Sequence, residues 1–140
     1  MKVLVDTSAW VAFPNDYASR ECSTFRFLLE GAHDLCTCGI IVSEVFQGLR
    51  RDKSRAKVEV LFKELTFLEP LGLPLYLRAA EIYRLLRKRG KTIRSTIDCI
   101  IAAIAEDNDC YVLARDSVME TIMGSGLIEA ALWTLEPPPA

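Results

Sequence analysis

Histidine is nearly absent from this chain: His33 is the one copy in 140 residues. Cysteine is present, but not in a metal-binding rhythm. Cys36 and Cys38 stand one residue apart, tighter than the spacing of a zinc knuckle. Alternate residues of a strand share a face, so the pair reads as core. The five cysteines are an odd number and lie mostly inside apolar stretches, as expected of small buried hydrophobes in a reducing compartment. No apolar run approaches the ~20 residues that a bilayer requires. The start lacks the charged-then-apolar-then-cleavage pattern of a secretory leader, so a cytoplasmic protein is expected. Excess charge is also missing. A net charge of −2 argues against a protein coated in positive charge, but leaves room for a local basic patch. There is no internal repeat and no linker.

What is present is a core. Apolar residues make up 51% of the chain, enough for one folded domain, expected over residues 1–135 with a proline-rich tail at 136–140. Val3-Leu4-Val5 reads as a buried strand that stops at Asp6, with Thr7 and Ser8 as candidate helix N-caps. Trp10, Val11 and Phe13 follow in a short helix ending near Pro14, with Trp10 read as core or rim in preference to a base-stacking platform. A helix is expected from Tyr17 to Glu30, ended by Gly31, and a second strand from Leu35 to Cys38. Ile40 to Leu49 reads as a helix with Val42, Val45, Phe46 and Leu49 on one stripe. Glu44 lies off that stripe, beside Ile40, Ile41 and a Gly48 that leaves room for it. Arg50 to Arg55 reads as a charged turn, Ala56 to Leu65 as a helix, and Phe67 to Pro70 as a short strand. Pro74 opens a long helix through Arg89, with Leu75, Ala79, Ile82 and Leu86 inward and Gly90 closing it. After a loop, Ile97 to Ala105 is the most apolar helix, with Asp98 in its first turn. Cys110 to Leu113 is a strand, Asp116 opens a short helix through Met123, and Ala131 to Leu135 is a candidate edge strand. Strands alternating with helices predict an α/β fold: a mostly parallel sheet of four to five strands with helices on both faces.

Four acids interrupt this apolar pattern: Asp6, Glu44, Asp98 and Asp116. In a parallel sheet the strand ends open on one edge and the next helices begin there, so a shared cleft is geometrically cheap. Carboxylates within a few ångströms repel, and such a site binds protons or a cation. Oxygen ligands without histidine or thiolate suit Mg²⁺ or Mn²⁺, which points to phosphodiester hydrolysis. Taken singly, each acid is as well explained as a surface cap or ion-pair partner; their joint placement carries the reading. A basic stretch, Arg84, Arg87, Lys88, Arg89, Lys91 and Arg94, precedes Asp98. It reads either as a solvated helix end or as a phosphate-gripping rim, with Lys91 and Arg94 the best phosphate contacts and Arg115 a third candidate.

Four blocks in this order resemble the VapC-type toxins among PIN-domain ribonucleases. They are Val-Asp-Thr-Ser-Ala-Trp at the start, Ser43-Glu44, the stretch from Gly90 through Ser-Thr-Ile-Asp98 to Ala103, and Val-Leu-Ala-Arg-Asp116. The resemblance runs to about Leu135. It implies a PIN-like fold and a Mg²⁺- or Mn²⁺-dependent endoribonuclease that cleaves RNA and arrests translation. It also implies a VapB-type antitoxin partner and a homodimer. The family's acids fall on Asp6, Glu44, Asp98 and Asp116, of which the first three bind or orient a first metal and the last supports the site or a second one. Its small hydroxyl residue falls on Thr7 or Ser8, orienting a ligand or the attacking water. The fourth block departs from the family: Ala114 replaces a polar residue, and Val118 and Met119 stand where a second acid and a phenylalanine often occur.

Two other functions compete. A catalytically weak relative would serve as an RNA- or protein-binding scaffold; Ala114 favours it and the intact acids oppose it. A receiver-like Mg²⁺-binding signalling module would need paired acids after the first strand and a lysine after the last. Here Asp6 stands alone, and no lysine follows Leu113 or Leu135.

Overall fold

The computed structural model describes residues 1–10, 30–31, 33–49, 52–69, 72–93, 95–130 and 132. Among the described residues, four strands form one sheet: β1 (Lys2–Val5), β2 (Asp34–Cys38), β3 (Thr66–Leu68) and β4 (Tyr111–Leu113). Their spatial order is β3-β2-β1-β4 and every pairing is parallel. Val3 faces Leu35 on one side and Tyr111 on the other. Val3, Leu4 and Val5 are inaccessible to solvent, as a central strand covered on both faces demands. The candidate strand at Ala131 to Leu135 is represented among the described residues by Leu132, which makes a lone parallel bridge to Val112.

Among the described residues, five helices flank the sheet: α1 (Gly39–Gly48), α2 (Asp52–Lys63), α3 (Gly72–Lys88), α4 (Thr96–Asp107) and α5 (Ser117–Met123). Residues 7–10 begin a further helical turn directly after β1, and the helix expected over Tyr17 to Glu30 lies outside the described residues apart from Glu30. The expected stripe of α3 is the observed one, with Leu75, Ala79, Ile82 and Leu86 buried. Gly90 closes α3 at φ 78°: its amide donates to the Arg87 carbonyl and the Lys91 amide reaches back to Leu86, a cap that needs a left-handed residue. The charged turn expected through Arg55 is instead the start of α2, which opens at Asp52, an acid suited to a helix N-terminus. On α1 the buried residues are Ile41 and Val45, so the inward stripe runs through Ile41, with Val42 only partly covered.

The core joins β1, β2 and β4 to the inner faces of α3, α4 and α5. Arg78 of α3 clamps Glu106 of α4 through two bonds, Nε to Oε1 at 2.8 Å and Nη2 to Oε2 at 3.0 Å, and also donates to the Leu127 carbonyl. Trp10 is buried, its ring 4.4 Å from that of Phe62, which meets Phe46 edge-on at 5.2 Å. That settles its role as core packing. Cys36, Cys38, Cys99 and Cys110 are free and buried; Cys22 lies outside the described residues.

Candidate active site

The chain runs outward from β1 through β2 to β3, then returns to place β4 on the other side of β1. The topological switch point is therefore the gap between β1 and β4, where parallel sheets open a crevice at their carboxyl ends. Asp6 follows β1 directly and Asp116 stands just beyond β4, so both acids sit at the lips of that crevice.

Asp6 continues the sheet by one bond, its amide donating to the Leu113 carbonyl at 2.9 Å. The chain then turns into a helix. The Asp6 carbonyl accepts from the amides of Ala9 and Trp10, and its Oδ2 accepts from the Ser8 amide at 3.2 Å and the Ser8 hydroxyl at 2.6 Å. Asp6 is thus the helix cap itself, where Thr7 or Ser8 was expected. Only 4% of it is exposed. Burial raises its pKa and the two Ser8 hydrogen bonds oppose that rise, while the charge of Asp116 pushes it further upward.

Glu44 reaches the same place from α1. Its Oε1 accepts from the Thr7 hydroxyl at 2.9 Å. A side chain added at Gly48 would meet nothing within 4 Å, so that glycine is not what makes room for the acid. Asp98 stands in the first turn of α4, whose N-cap is Ser95, accepting from the Ile97 amide at 3.2 Å. Burial, then the charges of Asp116, Asp6 and Glu44, push the Asp98 carboxyl up to about 6. Asp116 caps α5, its Oδ1 accepting from the Val118 amide at 3.2 Å. Asp98 thus feels the charges of the other three acids named from the sequence, and Asp6 that of Asp116.

One neighbour of Asp6 and Glu44 was not anticipated. Cys38 caps α1, fully buried, its thiol pushed up by burial, held back by the amides of Ile41 and Ile40, and pushed further by Asp6 and Glu44. It is a neutral wall beside two acids, and nothing local separates it from the other buried cysteines. The cap Ser95 was also missed, with the helix expected from Ile97, although Ser95-Thr96-Ile97-Asp98 is the pattern of a capped helix start. Among the basic candidates, Lys91 is exposed in the loop leading to Asp98, and Arg115 is exposed beside Asp116. Arg94 lies outside the described residues. Arg89 is committed to the Ser125 carbonyl, and Arg87 lies 5.6 Å over the Tyr83 ring. Val118, at the position of the family's further acid, packs against the core.

The donor set is the one a hard cation selects: carboxylate oxygens, with the nearby thiol held neutral. Among the described residues, no three His, Cys, Asp or Glu side chains converge into a ready-made cage. Mg²⁺ does not require one, since it keeps several waters and takes one or two carboxylates. The four acids fit that mode of binding.

The sequence profile of the PIN domain matches residues 3–123, which places the chain in that family. Ribonuclease VapC11 of Mycobacterium tuberculosis is 33% identical over 130 residues, covering 92% of this chain and 97% of its own. A chain of the VapBC2 crystal structure from Rickettsia felis, bound to a DNA fragment from their promoter, superposes with a TM-score of 0.72 at 14% identity, covering 95% of this chain and 99% of that one. Mycobacterium tuberculosis VapC20, described as a sarcin-ricin loop cleaving toxin, gives a TM-score of 0.62 at 20% identity, covering 91% and 97%. The protein belongs to the VapC ribonucleases of the PIN-domain family. Among the described residues, no helix is long and apolar enough to cross a membrane.

Proposed function

We propose that this chain is a Mg²⁺- or Mn²⁺-dependent endoribonuclease, the toxin of a VapBC-type pair, and that its cleft acids are Asp6, Glu44, Asp98 and Asp116. The observation that carries this reading is Asp98, whose carboxyl is pushed up to about 6 by burial and by the charges of the other three acids. Such mutual repulsion is relieved by a bound cation. Asp6 and Asp98 are its primary holders, Glu44 holds or orients it from the α1 side, and Asp116 completes the charge from the β4 side. A divalent ion bound there supplies a water nucleophile at neutral pH and stabilises charge on the phosphate oxygens. Thr7 keeps Glu44 turned into the cleft. Lys91, Arg94 and Arg115 are placed in sequence next to Asp98 and Asp116 to receive backbone phosphates on either side of the scissile bond. Hydrolysis adds water across one P–O bond, leaving a phosphate monoester on one fragment and a hydroxyl on the other.

A VapB-type antitoxin is the expected protein partner, in keeping with VapC relatives and VapBC structures of the same fold. A homodimer fits the apolar strip of Leu73, Tyr76 and Leu77 exposed on α3. Cleavage mapping on total RNA tests the activity. The wild type with Mg²⁺ or Mn²⁺ is expected to give discrete cuts, abolished by excess EDTA and by Asp98→Ala in a protein that still folds. Undiminished cleavage by Asp98→Ala, or in EDTA, would refute the assignment.

A further inference from the structure

We propose that Ser8 is a positioning residue that ties the first acid of the cleft to the loop carrying the last. The sheet is interrupted where β1 ends. Where two parallel strands continue, an amide of one donates to a carbonyl of the other, and the amide two residues further on returns a bond to the first strand. The Asp6 amide donates to the Leu113 carbonyl, so the regular continuation would send the Arg115 amide back to the carbonyl of Asp6. That carbonyl is already engaged by the amides of Ala9 and Trp10, because β1 has turned into a helix. The Arg115 amide instead donates to the Ser8 hydroxyl oxygen at 2.9 Å, across 107 residues of sequence. A side chain thus takes the place of the missing rung.

The substitution fixes a direction. An amide can only donate, so the Ser8 oxygen must accept from Arg115, and its single proton is free to go elsewhere. It goes to Asp6 Oδ2 at 2.6 Å. One hydroxyl therefore orients the Asp6 carboxylate and anchors the residue that directly precedes Asp116. The neighbouring hydroxyl cannot do this, since Thr7 serves Glu44. The two adjacent hydroxyls have separate tasks: Thr7 holds the α1 side of the cleft and Ser8 holds the β4 side.

The consequence for cation binding rests on the metal reading above, so the test has one measurement that needs metal and one that does not. The first is the dissociation constant of Mn²⁺ without RNA, followed by electron paramagnetic resonance. The second is hydrogen exchange of the Arg115 amide in metal-free protein, with the Leu4 amide of the central strand as the reference. Ser8→Ala is expected to weaken Mn²⁺ about 10-fold, the usual scale for losing a residue that orients a ligand. Exchange at Arg115 should speed up about 10-fold while Leu4 is unchanged. Ser8→Thr and Ser8→Val, nearly equal in shape, differ in the hydroxyl; only Thr should restore both readouts, and this pair decides the matter even if Ser8→Ala folds poorly. Thr7→Val should leave Arg115 exchange as in the wild type. Unchanged Arg115 protection in Ser8→Ala, or equal behaviour of the Thr and Val variants, would overturn the tie. A wild type that binds no Mn²⁺ while Arg115 still loses protection in Ser8→Ala would overturn the metal reading and leave the tie standing.

Discussion

Replacing Asp98 by asparagine should stabilise the metal-free protein at neutral pH, and the gain should fade in acid. Burial and the charges of Asp116, Asp6 and Glu44 push this carboxyl from 3.8 to about 6. The fold therefore binds the Asp98 proton more tightly than the unfolded chain does. Below pH 3.8 both states are protonated and the group costs the fold nothing; the cost grows as pH rises and is complete above about 6. At ~1.36 kcal/mol per pH unit between the two values, the unscreened cost is about 3 kcal/mol. Asp98 is only partly buried, so water screens much of this. Asparagine also gives up a favourable charge at the start of α4, worth ~0.5 kcal/mol. The net gain expected at pH 7.5 is about 1 kcal/mol, or about 3 °C in Tm. At pH 4.5 only about a third of the charge cost remains, so wild type and variant should nearly coincide. Urea denaturation in EDTA across this range measures the difference. Saturating Mn²⁺ should reverse the order, since it binds and stabilises the wild-type fold more strongly. An Asp98→Asn variant no more stable than wild type at pH 7.5, or with an equal advantage at pH 4.5, would refute the picture of a mutually repelling cleft.

Arg78→Ala should cost about 2–3 kcal/mol in urea denaturation, because it leaves the partly buried Glu106 without its two-bond partner and frees the Leu127 carbonyl. Glu106 is held below its usual range, first by Arg78, so this contribution should be present at neutral pH and lost as pH falls through the lowered value; a cost under ~0.5 kcal/mol at pH 7 would contradict it. Lys91→Ala should weaken binding of single-stranded RNA and lower the slope of log affinity against log salt by about 0.7, the share of one phosphate contact. An unchanged slope in filter binding would make Lys91 plain solvated surface.

The alternation of apolar runs and helical stripes made the parallel sheet and the inward face of α3 legible, because burial on a strand or helix leaves a periodic trace in nearby residues. Asp98 was legible for a similar reason: an acid in the first turn of an otherwise apolar helix departs from its own neighbourhood. The ends of elements were less so. The basic run around Asp52 read as a turn because charge dominates its composition, but on an exposed helix charge is no obstacle, and α2 begins there. Cys38 read as one more buried hydrophobe, since its neighbour Asp6 is distant in sequence.

By itself, the amino-acid order determined that Asp6, Glu44, Asp98 and Asp116 would stand at breaks in an apolar pattern, and that the strands preceding Asp6 and Asp116 would be buried. Tertiary structure alone decided which hydroxyl serves which acid. Thr7 turns to Glu44, 37 residues away, and Ser8 turns to Asp6 while receiving the Arg115 amide, 107 residues away. It also made Asp6 the helix cap that both hydroxyls had seemed equally fit to provide. The physical reason is range. Propensity and burial periodicity act among neighbours in the chain, whereas hydrogen-bond direction and carboxylate repulsion depend on distances that exist only once β1 and β4 lie side by side.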